Sequence, residues 1–213
     1  MQLISQNLKE FQRLALIVFL LAMPFVISSC SDDDDDYPPI EPPVADSELQ
    51  LRTFTSQALA GNLIGNEAER NVQVYLPPGY DASATEGYPV VYLLHGLPFT
   101  EEAYTNKSTW DPWVRPGEEW PFQEYPDFPE DGLKSWMDDL ITSGKIQPMI
   151  IVMPNAASEA GYMFSFYTNS LLNGNFEDFI VKDLVAYIDS QYNTVADPSG
   201  RAVVGHSQGG YAA

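Results

Sequence analysis

The chain has 213 residues, of which 45% are hydrophobic, and a formal net charge of -20. This length suits one mid-sized domain with accessory segments, and the negative charge excludes a protein that binds a nucleic-acid backbone through clustered Lys and Arg. The single cysteine excludes an intramolecular disulfide, and with only two histidines the chain has little material for a metal centre.

The first residues follow the order of a secretory signal, with a positively charged end, a short apolar run and two small residues. The apolar run LALIVFLLAMPFVI is too short for a comfortable membrane span. Cys30 follows ISS directly, so we predict a lipoprotein signal peptide at 1–29, with Cys30 as the lipidated first residue of the mature chain. The alternative is an ordinary signal peptide followed by a chance cysteine.

Residues 30–48 contain a run of aspartates and several prolines, with few apolar side chains. Such a composition has little to bury and stays extended and solvated. We predict an acidic, proline-rich tether at 30–48 that joins a membrane anchor at Cys30 to a folded part at 49–213. We predict that the protein lies in the cell envelope, anchored to the outer membrane. The sequence does not distinguish the periplasmic leaflet from the surface-facing leaflet.

Four stretches of the folded part are predicted to be strands. The first alternates between apolar and polar residues until Pro77-Pro78-Gly79 ends it. The other three are continuous apolar runs, which are typical of strands buried on both faces of a sheet covered by helices. The four predicted strands lie within 71–80, 89–96, 148–156 and 201–207.

Two stretches between these strands have apolar residues at helical spacing. The shorter begins at Leu133 and ends near Gly144, and the longer begins after Asn175, which is the predicted N-cap. Because strands and helices alternate, we predict an α/β fold, a three-layer sandwich with a mainly parallel sheet. The predicted core face of the longer helix consists of Phe176, Phe179, Ile180, Leu184, Val185 and Ile188.

Residues 97–130 have no clear period and are rich in Trp, Tyr, Phe and Pro. A long loop in a compact domain is usually functional or disordered, and aromatic residues argue against disorder. Trp110 and Trp113, together with Tyr162 from a later loop, are predicted to contact a sugar or aryl group of a substrate. The alternative is that the aromatic residues pack their loop onto its own domain.

The stretch RAVVGHSQGGYAA at 201–213 has the pattern of a serine on a sharp strand-to-helix turn. An apolar run precedes GHSQG, and small residues that suit the start of a helix follow it. Because this turn crowds the backbone, glycines flank the serine at positions where a Cβ would clash. We predict that Ser207 is a catalytic nucleophile, and the alternative is a surface turn that matches by chance.

Acyl transfer also needs donors directed at the oxygen that becomes negative in the tetrahedral intermediate. The N–H of the residue after the nucleophile is one donor, and a loop that follows an early strand supplies another. These positions are Gln208 and Leu97, the residue after YLLHG. Since Gln208 contributes through its backbone, its side chain is expected to be replaceable by Met at little cost.

The motifs of residues 68–213 together resemble the α/β-hydrolase esterases of the esterase D, feruloyl esterase and enterochelin esterase group. The resemblance rests on NVQVYLPPGYD, YPVVYLLHG, GKIQPMIIVMPNA, FYTNS, FEDFIVKDLVAYIDSQY and RAVVGHSQGGYAA, in that order. It implies an α/β-hydrolase fold, Ser207 as the nucleophile, and an oxyanion hole lined by Gly96 and Leu97. One departure is Gln208, where Met or Leu is more common.

Both histidines belong to backbone motifs. The side chain of His206 is expected to point away from the Ser207 hydroxyl, and His95 is expected to orient the oxyanion loop through hydrogen bonds. Triad partners in this fold follow the serine in the order acid, then histidine, so both are expected after position 207. We therefore expect the chain to be the N-terminal part of an α/β-hydrolase, truncated after the nucleophile turn.

The resemblance and the predicted export together imply a lipid-anchored serine carboxylesterase that needs no metal or cofactor. The implied substrates are feruloyl or acetyl esters of polysaccharides, hydrolysed through an acyl-enzyme. The alternatives are a siderophore esterase of the enterochelin type, an acyltransferase that excludes water, and a non-catalytic scaffold that binds carbohydrate. The acyl group and the oligomeric state are left open.

Overall fold

The computed structural model describes residues 46–105, 129, 131–158 and 164–213. The predicted signal peptide, Cys30 and nearly all of the predicted tether lie outside these residues. Three predicted substrate contacts also lie outside them, namely Trp110, Trp113 and Tyr162. Within the described part of the chain, no helix is both long and apolar enough to cross a membrane.

The strands of the described residues are β1 (Glu48–Thr55), β2 (Glu69–Leu76), β3 (Val90–Leu94), β4 (Ile150–Pro154), β5 (Asn169–Ser170), β6 (Gly174–Asn175) and β7 (Arg201–Gly205). Five of them form one sheet in the order β1-β2-β4-β3-β7, and β5 pairs with β6 in a small separate sheet. β3 is parallel to both β4 and β7. β2 is antiparallel to both of its neighbours, β1 and β4.

The helices begin close to their predicted positions. Helix α1 spans Leu133–Thr142. Helix α2 is a continuous helical segment of three parts, with a π-helical turn at Phe179–Leu184 between α-helical parts at Phe176–Asp178 and Val185–Gln191. A 3₁₀ turn at Pro198–Gly200 leads into β7, and the short helix α3 (Gln208–Ala212) follows that strand.

Each face of the sheet is covered by a different helix. Successive side chains of a strand point to opposite faces. Ile150 and Val152 therefore pack with buried residues of α2, whereas Ile151 packs with Met137 of α1. The two helices lie on opposite faces, which confirms the three-layer sandwich. The predicted core face of α2 is buried except for Val185, which packs against it while partly exposed.

One local prediction is wrong, and another is confirmed only in part. β7 was predicted to be buried on both faces, but Ala202 and Val203 are exposed. β7 lies at one edge of the described sheet and pairs only with β3. Asn175 occupies the predicted N-cap position of α2, but its side chain makes no capping hydrogen bond. The pairing of β5 with β6 places Asn169 opposite Asn175, and Asn169 Oδ1 accepts the N–H of Asp178 at 3.1 Å instead.

The described fold also starts before residue 49. The Ser47 side chain is buried, and its hydroxyl donates to Asp138 of α1 at 2.6 Å. β1 begins directly after it, at Glu48. The last residues of the predicted tether therefore belong to the folded part.

Candidate active site

The candidate site lies where β3, β4 and β7 end. The carboxyl ends of parallel strands meet at one edge of a sheet, and ligands of open α/β sheets bind beyond that edge. Here β3 leads into His95 and Gly96, β4 leads into Ala156, and β7 leads into His206 and Ser207. The parallel pairing of β3 with β7, in which Leu94 lies opposite Gly205, brings the HG loop next to the serine turn.

Ser207 has a backbone conformation that few side chains adopt. Its φ is 54° and its ψ is -117°, and it stands between β7 and α3. A Cβ added to Gly205 would overlap the carbonyl carbon of Gly209, and one added to Gly209 would overlap the carbonyl oxygen of Leu94. The structure thus gives the flanking glycines the steric role that the sequence predicted, and the turn has the strand–turn–helix form of a nucleophile elbow.

The HG loop touches this turn directly. A Cβ added to Gly96 would lie 2.9 Å from Ser207 Cβ and 3.0 Å from His206 Nδ1. Only glycine lets the loop approach the serine this closely. The structure therefore brings together Gly96, Leu97, Ser207 and Gln208, the four residues that the sequence predicted for the nucleophile and the oxyanion hole.

The backbone of the loop is oriented by hydrogen bonds to the Gly96 carbonyl. That oxygen accepts the N–H of Phe99 at 3.1 Å and lies 2.9 Å from His95 Nδ1. In a trans peptide the N–H points opposite to the carbonyl, so the Leu97 N–H is directed away from these two partners. Among the described residues, no backbone carbonyl accepts the N–H of Leu97 or of Gln208. Both donors are thus available for an incoming oxygen.

The contacts of His95 define its protonation. The ring is buried, and Nε2 lies 3.0 Å from the backbone N of Ala156, whose N–H can only donate. Nε2 is therefore the acceptor, and the proton is on Nδ1, which donates to Gly96. Burial lowers the pKa of His95 and outweighs the opposing effects of the Gly96 bond and Glu101. Since both ring nitrogens are engaged, His95 is unsuited to be the general base.

His206 is exposed at the surface, whereas His95 is buried. Partial burial of the His206 ring still lowers its pKa, which favours the neutral imidazole. Among the hydrogen bonds of the described residues, none joins the Ser207 hydroxyl to either histidine.

The Gln208 side chain has a contact that the sequence did not predict. It is buried, and its Nε2 donates to Ser165 Oγ at 3.2 Å. Its Oε1 is buried and has no hydrogen-bond partner among the residues that the structure describes. The expectation that Gln208 acts through its backbone alone is therefore incomplete, because the amide joins the serine turn to the segment around Ser165.

The comparisons with known proteins agree with this geometry. The sequence profile of a family described as "Putative esterase" matches residues 65–213. The chain belongs to this esterase family. Over 181 residues it is 30% identical to an endo-1,4-beta-xylanase/feruloyl esterase of Xylanibacter ruminicola, covering 83% of the chain and 20% of that protein. An esterase of Mycobacterium tuberculosis is 31% identical over 168 residues, covering 79% of the chain and 28% of that protein.

Solved structures of esterases share the fold. A ferulic acid esterase superposes with a TM-score of 0.57 at 27% identity, covering 79% of this chain and 52% of the other. A ferulic acid esterase of Anaeromyces mucronatus superposes with a TM-score of 0.51 at 23% identity, covering 84% and 56%. The fold is that of the α/β-hydrolases. The chain spans about half the length of these solved enzymes and less than a third of the two curated relatives.

One further feature of this esterase-family chain is a group of exposed aromatic rings beside the elbow, which we call the aromatic patch (Phe164, Phe166 and Tyr211). Phe164 and Phe166 stack with centroids 5.3 Å apart, and Phe166 meets Tyr211 edge to face at 6.2 Å. Their side chains are 45%, 47% and 73% exposed. Tyr211 lies one helical turn after Ser207, since its N–H donates to the Ser207 carbonyl at 3.0 Å. FYTNS is one of the motifs quoted above, but no signal in it predicts this cluster.

Proposed function

We propose that this member of the esterase family is a carboxylic ester hydrolase that forms an acyl-enzyme on Ser207. The observation that carries the proposal is the left-handed conformation of Ser207 on a strand-to-helix turn, in contact with Gly96. Such a turn exposes the hydroxyl for attack and places the next N–H beside it. Membership of the esterase family supports the same reaction class.

The proposed reaction follows from the donors of the site. The Ser207 hydroxyl attacks the ester carbonyl and transfers its proton to a general base other than His95. The carbonyl oxygen becomes negative and accepts the N–H groups of Leu97 and Gln208. The alcohol then leaves, and water attacks the acyl group to regenerate the serine.

The proposed substrates are aromatic acyl esters of polysaccharides, feruloyl esters above all, with acetyl esters as the smaller alternative. One relative is named a xylanase/feruloyl esterase, and one solved structure is named a ferulic acid esterase. The aromatic patch also favours a planar acyl group, because stacked and edge-to-face aromatic contacts add to the burial of apolar area.

The nucleophile is tested by covalent labelling and turnover. We expect a fluorophosphonate to label Ser207 in the whole protein, and Ser207→Ala to lower turnover of 4-nitrophenyl acetate and methyl ferulate by about 10⁴-fold or more. Labelling of the 213-residue chain itself is measured as well, and we expect it to be slow, because no hydrogen bond among the described residues joins either histidine to the Ser207 hydroxyl. A Ser207→Ala variant that retained turnover would contradict the proposal.

The aromatic patch is tested by removing the Phe166 ring, which contacts both Phe164 and Tyr211. Phe166→Ala is expected to raise KM for methyl ferulate by about 2- to 10-fold, the range expected for losing aromatic contacts. KM for 4-nitrophenyl acetate should stay within a factor of two. Leu171→Ala, which truncates an exposed apolar side chain outside the patch, is the matched control. Equal effects on both substrates would contradict an acyl-binding role for the patch.

We further propose that the protein is lipidated at Cys30 and held in the cell envelope. The proposal rests on the ISSC pattern and the acidic tether, which lie in the N-terminal sequence. Cys30→Ser should release the protein from the membrane fraction and abolish incorporation of labelled fatty acid. Equal membrane recovery of the variant and the native chain would exclude this anchor.

A further inference from the structure

Residues 164–168, which we call the brace, have an unusual backbone. Phe166 and Tyr167 have φ values of 49° and 52°, and together with Ser207 they are the non-glycine residues with positive φ in the described chain. Two successive side-chain-bearing residues in this region are rarely tolerated. Such conformations persist where surrounding contacts hold them, and they are concentrated at functional sites.

The brace is held by Ser165. Its hydroxyl oxygen accepts the Tyr167 N–H at 3.2 Å and the Gln208 side-chain amide at 3.2 Å. The Ser165 carbonyl accepts the N–H of Thr168 at 3.2 Å. Both Ser165 and Tyr167 are buried, at 3% and 5% exposure, so these bonds are shielded from water. One serine thus closes the turn and ties it to the elbow.

The brace in turn contacts the oxyanion loop. The Tyr167 hydroxyl donates to the His95 carbonyl at 2.9 Å, and the two rings lie with centroids 5.9 Å apart. Burial raises the pKa of Tyr167, so the hydroxyl keeps its proton and can donate. The His95 carbonyl belongs to the peptide immediately before the one that carries the Leu97 N–H.

We propose that Tyr167 is a positioning residue for the oxyanion hole. Its hydroxyl holds the peptide between His95 and Gly96, and the His95 ring holds the next peptide, whose N–H is the donor at Leu97. The two successive peptides are thus held by two different groups, the Tyr167 hydroxyl and the His95 ring. The Gln208 side chain joins the brace to the elbow, whose Gln208 N–H is the second donor. This inference rests on the proposed ester hydrolysis.

The test is Tyr167→Phe, which removes the hydroxyl and keeps the ring. We expect kcat for methyl ferulate to fall about 10-fold, less than the loss for removing an oxyanion donor outright. KM should stay within about twofold, because the negative oxygen exists in the transition state and not in the bound substrate.

The matched control is Tyr75→Phe. Tyr75 is also buried, and its hydroxyl donates to Asp138 at 2.7 Å on the α1 side of the sheet. We expect both variants to lower the melting temperature by a similar amount, about 2–6 °C for one lost bond in a protein of this size. Tyr75→Phe should leave kcat unchanged. An equal loss of kcat in the two variants would overturn the proposal, because it would indicate a general loss of stability.

A second measurement does not depend on turnover. The Phe99 N–H donates to the Gly96 carbonyl, so its hydrogen exchange reports the order of the loop. Tyr167→Phe should speed this exchange about 10-fold, and Tyr75→Phe should not. Unchanged exchange and unchanged kcat in Tyr167→Phe would overturn the inference. The proposed function would be contradicted if the native protein neither hydrolysed esters nor reacted with fluorophosphonate. In that case the hydrogen-exchange measurement would still decide whether Tyr167 holds the loop.

Discussion

The elbow (205–209) and the brace (164–168) both hold non-glycine residues in the left-handed region, but by different means. In the elbow, Ser207 is held by backbone packing, where Gly205 and Gly209 leave no room for a Cβ. In the brace, hydrogen bonds hold the turn: Ser165 Oγ accepts the Tyr167 N–H and the Gln208 side-chain amide, and the Tyr167 hydroxyl donates to the His95 carbonyl.

The difference determines how each region should respond to substitution. Backbone contacts at the elbow cannot move aside, so an added methyl group should be severe. A hydrogen-bonded turn loses one bond at a time, and the cost depends on whether a buried partner is left unpaired. The predictions below test this contrast, beginning with the largest expected effect.

Gly209→Ala should disable the elbow. The new Cβ would overlap the Leu94 carbonyl oxygen, which belongs to β3, a strand paired with β4 on one side and β7 on the other. We expect labelling by fluorophosphonate to fall about 100-fold or more, or the protein to fail to fold, since overpacking of this kind costs about 3 kcal/mol or more. Gly210→Ala is the control, because its Cβ would approach the Gly205 carbonyl only to 3.0 Å. If fluorophosphonate labels the two variants equally, steric contact between residue 209 and the Leu94 carbonyl does not determine the conformation of the elbow.

Ser165→Ala should weaken the brace without abolishing the fold. The Tyr167 N–H and the Gln208 amide would lose their shared acceptor inside a buried site. Leaving a buried donor unpaired costs about 1–3 kcal/mol, which corresponds to a drop in melting temperature of about 3–10 °C. Ser190→Ala, at an exposed serine that donates to the Tyr187 carbonyl, should change stability by less than about 0.5 kcal/mol. If Ser165→Ala had the same melting temperature as the native protein, the hydrogen bonds of Ser165 would not stabilise the brace.

His95, whose ring binds the loop and whose carbonyl binds the brace, should make the protein sensitive to acid. Its pKa in the folded state lies below the unfolded value of about 6.5 because of burial. Below that pH the unfolded state binds more protons, so the free energy of unfolding falls as the pH is lowered from 6.5 towards the folded pKa. Urea midpoints at pH 7.5 and 5.5 should fall less in His95→Gln than in the native protein. Equal falls would assign the acid sensitivity to other groups, such as His206.

Gln208→Met should have the smallest effect. It removes the bond to Ser165, but it also removes Oε1, a buried atom with no hydrogen-bond partner in the described part of the chain. Replacing an unsatisfied polar group by an apolar one of similar shape is nearly neutral, so we expect a change within about 1 kcal/mol. The double variant with Ser165→Ala should be less destabilised than the sum of the two single variants, because no unpaired amide remains. Strict additivity would mean that the two side chains are not coupled.

The sequence by itself determined the elements that depend on local pattern. Continuous apolar runs predicted β3 and β4, helical spacing predicted the buried face of α2, and GHSQG predicted the elbow. These signals are strong because each one depends only on the type of residue at successive positions: apolar in the strands, apolar at helical spacing in α2, and glycine beside the serine in the elbow. β1 was not predicted, because the polar–apolar alternation of ELQLR is short and is broken at Thr53 and Phe54.

Only the tertiary structure decided the contacts between distant segments. The bond from Gln208 to Ser165 and the bond from Tyr167 to His95 join residues 43 and 72 positions apart. A serine, a glutamine and a tyrosine carry no local signal for such partners, because the partners meet only when β3, β7 and the brace are packed together. The same holds for the proton on His95 Nδ1, which depends on an N–H that follows β4. Hydrogen-bond partners at the site are thus a property of the fold, whereas the steric need for glycine at the elbow is already present in the local chain.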